Sequence, residues 1–71
     1  MSESQSLIYL GKKIREFRIS KKMTQEELAK ACGFEKARIS RMENGYINST
    51  ILSLYKICSA LEIQVKELFP D

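Results

Sequence analysis

Histidine is absent from this 71-residue chain. With it go the usual proton-transfer base near neutral pH and the commonest metal ligand. The two cysteines, Cys32 and Cys58, cannot complete a four-ligand zinc site on their own. Both fall at apolar positions of helical periodicity, which favours buried free thiols over a disulfide or redox pair. No apolar run approaches the ~18 residues that span a bilayer. No basic start leads into an apolar stretch and a small-residue cleavage site, so no secretory leader is expected. The cytoplasm is therefore the expected compartment, with no membrane partner. There is no nucleophile–base pair, metal-ligand cluster or phosphate-binding loop. An enzyme is not expected, nor is a cofactor, a bound metal or a small-molecule ligand. Strand-like alternation, internal repeats, low-complexity tracts and linkers are also missing, so residues 1–71 are expected to form one domain.

What is present begins with charge. Twelve Lys and Arg against nine acids give a net charge of +3. Ten of the twelve cations lie in residues 11–41 against four Glu, a local balance of +6, and the remainder carries −3. A surface polarised in this way suits a polyanion, although a merely solvated face has the same composition.

Apolar spacing predicts helices throughout. Met1 to Gln5 is polar and expected to be disordered, with Ser4 or Ser6 as cap of a first helix. Leu7, Leu10, Ile14 and Phe17 then recur at helical intervals. Gly11 inside this run costs roughly 1 kcal/mol against Ala, and nothing in the sequence accounts for it. Thr24-Gln25-Glu26-Glu27 is a capping box opening a second helix, whose expected apolar face is Leu28, Ala31 and Cys32 with Ala29 beside it. Gly33 ends that helix. A third follows at once, about Glu35 to Asn44, stopped by Gly45. Ser49 or Thr50 caps a fourth, with Ile51, Leu54, Tyr55, Cys58 and Leu61 at helical spacing. Ile63, Val65, Leu68 and Phe69 suggest a short last helix before Pro70. The expected fold is an all-α, compact five-helix bundle in which helices two and three form a helix-turn-helix.

The third helix carries the functional signal. At about 100° per residue, Ile39 and Met42 share one arc and must face the core. Lys36, Ala37, Ser40 and Arg41 share the opposite arc, with Arg38 at its edge. Arg and Lys donate to guanine N7 and O6, Ser can donate or accept, and the Ala methyl can pack on a thymine methyl. A surface helix with an incidental charge bias is the alternative.

The span from Gln25 to Asn44 resembles the helix-turn-helix of lambda-repressor-like, or Xre-type, bacterial and phage regulators. The residues that carry the resemblance are T-Q-E-E-L-A at 24–29, Gly33, I-S-R-M-E-N-G at 39–45 and S-L-Y-K-I-C-S-A-L at 53–61. It extends over roughly residues 7–69. Many members have Ser or Thr where Glu35 stands, and Glu caps poorly, which leaves the start of the third helix and the pose of Lys36 open. The resemblance implies base contacts from Lys36, Ala37, Ser40 and Arg41, with Arg38 reaching a base or the backbone. It implies phosphate contacts from Gln25, Asn48 and Thr50, the last of which could instead be only a cap. Arg18 and Glu43 resemble the family's ion pair tying helix one to helix three.

The implied function is sequence-specific, noncatalytic binding of double-stranded DNA in the major groove. A homodimer would read a palindrome, with Ile63, Val65, Leu68 and Phe69 supplying both core and interface. With no ligand-sensing or cleavage domain following the motif, activity is expected to follow concentration through the monomer–dimer equilibrium. Compact members of this kind are phage repressors and the controllers of restriction–modification systems; RNA polymerase is a candidate further partner. The alternative is an antitoxin-like protein-interaction module.

Overall fold

The computed structural model describes residues 1–70. Four α-helices follow one another: α1 (Glu3–Ser20), α2 (Gln25–Cys32), α3 (Lys36–Glu43) and α4 (Ile51–Leu61). A 3-10 turn, Val65–Leu68, closes the described chain. The fold is all-helical among the described residues, but the fifth helix of the sequence reading is corrected to this single turn. Glu62 leaves α4 in a left-handed conformation and Pro70 follows eight residues later. Gln64 (ψ 149°) and Phe69 (ψ 150°) are both extended, which leaves four residues between them, enough for one 3-10 turn. The Gln64 amide donates to Glu67 Oε2 at 2.7 Å, and the Glu67 amide returns to the Gln64 carbonyl at 3.0 Å.

The first helix starts earlier than its apolar pattern suggests. Ser2 Oγ accepts the Gln5 amide at 3.1 Å, and the Ser2 amide donates to Gln5 Oε1 at 2.9 Å. This capping box replaces the expected cap at Ser4 or Ser6 and makes Glu3–Gln5 helical.

The core joins Ile14 of α1, Leu28, Ala29 and Cys32 of α2, Ile39 and Met42 of α3, four residues of α4 and Leu68. Ala31, expected on the apolar face of α2, is exposed, and Ala29 is buried in its place. On α4 the buried arc is Ser53, Leu54, Ile57, Cys58 and Leu61. Ile51 and Tyr55, expected on that arc, are 60% and 56% exposed. This helix is apolar on more than one side, so periodicity alone could not choose the buried one. No described helix is long and apolar enough to cross a membrane.

Gly11 now has a reason. A Cβ there would lie 2.5 Å from the carbonyl oxygens of both Met42 and Glu43. Helix α1 crosses the last turn of α3 backbone to backbone, which only glycine allows. Gly45 repeats the constraint one turn on. Its φ is 74°, and a Cβ would meet the Ile8 backbone at 3.0 Å.

Candidate nucleic-acid interface

The turn between α2 and α3 is short because Gly33 takes a left-handed conformation (φ 74°) and lets the Phe34 amide return to the Ala29 carbonyl at 2.8 Å. Ala29 is 3% exposed beneath this turn. Helix α3 begins two residues later. Glu35 at its N-cap makes no side-chain cap bond.

The outward arc of α3 carries Lys36, Ala37 and Arg41, all exposed, with Ser40 half-buried beside them. Ile39 and Met42 are buried on the opposite arc. Among the described residues the ion pairs are Lys13–Glu16 and Arg18–Glu43, so neither Lys36 nor Arg41 is neutralised by an acid. Both present a solvated charge to whatever approaches this face.

Arg38 lies at the edge of this arc, on the side of α4. Its Nη2 donates to Ser53 Oγ at 2.6 Å, and its guanidinium stacks on the Phe34 ring at 4.0 Å. These contacts draw its guanidinium towards α4 and engage Nη2, leaving Nε and Nη1 without a partner among the described residues. Ser53 is only 7% exposed, and its hydroxyl oxygen is satisfied by Arg38 and by Thr50 Oγ1. Phe34 drew no notice in the sequence and Ser53 only as the first residue of the 53–61 match, because a Ser inside an apolar helix and a Phe in a turn announce no partner.

Gln25 opens α2 behind the Thr24 cap, whose Oγ1 accepts the Glu27 amide at 3.0 Å. Its side chain is not wholly free. Nε2 donates to Glu43 Oε1 at 3.1 Å. Arg18 donates to the same carboxylate through Nε (2.6 Å, to Oε2) and Nη2 (3.1 Å, to Oε1), and through Nη1 to the Met23 carbonyl at 2.7 Å. Glu43 is 7% exposed, and three donors compensate its removal from water. No buried side-chain nitrogen or oxygen among the described residues lacks a partner.

Asn48 is exposed in the connector after α3. Thr50 caps α4, accepting the Ser53 amide at 3.1 Å, and its Oγ1 donates to Ser53 Oγ at 3.1 Å. Its hydroxyl is thus engaged within the chain. Any anion at this helix start would meet the unpaired amides of Ile51 and Leu52 instead. Cys32 and Cys58 are free and buried. Burial pushes both thiols above their ordinary value; Lys56 and Arg38 oppose the rise at Cys32, and Glu67 adds to it at Cys58.

Of the four expected interface residues, Leu68 is wholly buried in the core and is corrected to a core residue. Ile63 and Val65 are half-buried and Phe69 is 45% exposed.

A short two-helix hairpin that buries one arc of its second helix and leaves cations, a hydroxyl and a methyl on the other defines a helix-turn-helix module. The chain belongs to the helix-turn-helix family HTH_3, which is Xre-like, and whose model matches residues 14–68. It is 39% identical over 62 residues to the control protein C.BamHI of Bacillus amyloliquefaciens, covering 86% of this chain and 76% of that one. The crystal structure of the restriction–modification controller protein C.AhdI from Aeromonas hydrophila superposes with a TM-score of 0.87 at 33% identity, covering 89% of this chain and 96% of that one. The antitoxin HipB of Escherichia coli K12 is 43% identical over a shorter span of 42 residues, 59% of this chain and 48% of HipB.

Proposed function

We propose that this transcriptional regulator binds double-stranded DNA sequence-specifically as a homodimer on a palindromic operator, and acts as a restriction–modification controller or a small repressor. The observation that carries this is the unpaired outward arc of α3, where Lys36, Ala37, Ser40 and Arg41 stand opposite the buried Ile39 and Met42. Cations release counterions from the duplex, and their fixed spacing on a rigid helix permits base readout. Arg38 serves as a backbone contact or a structural tie, since Ser53 and Phe34 already hold it. Gln25, Asn48 and the amides at the start of α4 contact phosphates. Glu26 and Glu27 weaken the positive potential at the start of α2, so the Gln25 contact rests on directed hydrogen bonds.

The dimer surface shifts with the burial pattern. Leu68 is excluded, and Ile51, Leu52 and Tyr55 on the open side of α4 join Phe69, Ile63 and Val65. Tyr55, Ile63 and Val65 border one shallow groove, and Ile51 and Phe69 border another. A second copy is the occupant that fits, because a core of this size leaves a margin of only about 3–5 kcal/mol and association raises it.

Selection of bound duplexes from a random pool tests the reading. Recovery of a two-fold symmetric sequence is the expected result, and an unselected pool after several rounds overturns it. A second reading, favoured by the likeness to HipB, makes the chain an antitoxin that occupies a partner protein. Stoichiometric co-purification with a second small protein from the native host would support it.

A further inference from the structure

The third helix has no side-chain cap of its own, because Glu35 makes none. Polar ties to its neighbours hold it instead, and two of them end at the start of a helix. At its last turn, Glu43 accepts Gln25 Nε2 at 3.1 Å, and Gln25 is the first residue of α2. Near its middle, Arg38 Nη2 donates to Ser53 Oγ at 2.6 Å. The same oxygen accepts Thr50 Oγ1 at 3.1 Å, and Thr50 is the N-cap of α4. Phe34 backs the guanidinium at 4.0 Å and limits its rotation.

We propose that Gln25 and Ser53 are positioning residues for base readout: they tie the seating of backbone phosphates at the starts of α2 and α4 to the pose of α3, although neither reaches a base. This rests on the DNA-binding reading above. The chemistry of the groups supports the coupling. The Gln25 amide nitrogen has two hydrogens. One is given to Glu43, and the other is free for a phosphate oxygen, so a single nitrogen spans the phosphate and the recognition helix. Ser53 accepts from both Arg38 and Thr50, so a shift of the α4 start moves the guanidinium and α3 with it. Glu43 is also gripped by Arg18 from α1, which gives the tie a fixed anchor rather than a floating one.

The full-length chain and its Gln25→Met, Gln25→Ala and Ser53→Ala variants are titrated, at one salt concentration, on a duplex selected from a random pool and on a scrambled duplex. The temperature is one at which circular dichroism shows each to be folded. The quantity compared is the ratio of the two affinities. A lost phosphate contact or a partly unfolded population lowers both affinities together and leaves that ratio alone. A mispositioned α3 lowers the ratio, by about fivefold or more for these substitutions. A ratio that stays within about twofold of wild type in a variant overturns the proposal for that residue. A wild-type chain with no preference between the duplexes overturns the DNA-binding reading itself, which separates that failure from this one.

Discussion

Arg41 stands exposed on the outward arc of α3 and has no acid partner to surrender on binding. A guanidinium so placed keeps its full set of donors for the two acceptors of a guanine edge. Arg41→Ala is expected to cost roughly 1–3 kcal/mol on the selected duplex and to relax preference at one base pair. Competition with singly substituted duplexes measures both; an equal loss on random DNA would make Arg41 a phosphate contact. The two thiols offer a test of a different kind. Both are held above the ordinary 9.0 by burial, so the unfolded chain releases these protons first as pH rises. Their contribution to stability is complete below about pH 9 and declines above it. The urea midpoint should therefore be flat from about pH 7 to 8.5 and fall between 9 and 10. A Cys32→Ala, Cys58→Ala double variant should show a shallower alkaline fall. Iodoacetamide at pH 8 should leave both cysteines of the native protein largely unmodified.

At the scale of the helices, Gly11 reverses an ordinary expectation. In an isolated helix Gly→Ala stabilises by about 1 kcal/mol. Here the added methyl would press on the Met42 and Glu43 carbonyls at 2.5 Å, and both belong to helix backbone that cannot swing aside. Gly11→Ala should instead lose about 1–3 kcal/mol, read from the midpoint of urea unfolding. A stabilised variant would mean that α1 and α3 cross less closely. Gly11 also shows what the sequence can and cannot carry. Local signals were legible: the Thr24 box, the Gly33 and Gly45 stops, and the inward pair Ile39 and Met42 all depend on neighbours a few residues away. The crossing at Gly11, the Gln25–Glu43 bond and the Arg38–Ser53 bond join residues 15 to 32 positions apart, and nothing in the spacing of either partner announces the other. The open face of α4 was missed for a related reason. Ile51, Leu52 and Tyr55 are as apolar as the residues that bury, and only the packed neighbours decide which side turns inward.

For the molecule as a whole, the proposed function gives association to the exposed side of α4 and DNA binding to the cationic segment from residue 11 to 41. Leu52 and Tyr55, 66% and 56% exposed, lie outside the core. A Leu52→Glu, Tyr55→Glu variant should therefore retain the wild-type helical circular dichroism while placing like charges across the proposed two-fold axis. Leu68→Ala is the contrast. Leu68 is fully buried, so the loss there should be of the fold itself, on the order of 2–5 kcal/mol. In the dimer, half-sites would lie roughly 34–36 Å apart, and the second module would bind as an intramolecular step. Losing that linkage should lower operator affinity by about 100-fold or more while leaving a single half-site bound as before. Sedimentation of both chains at micromolar concentration, with and without operator, decides the matter. A double variant that remains dimeric would move the two-fold axis away from this face of α4, and a wild-type chain that is monomeric in both conditions would remove the homodimer altogether.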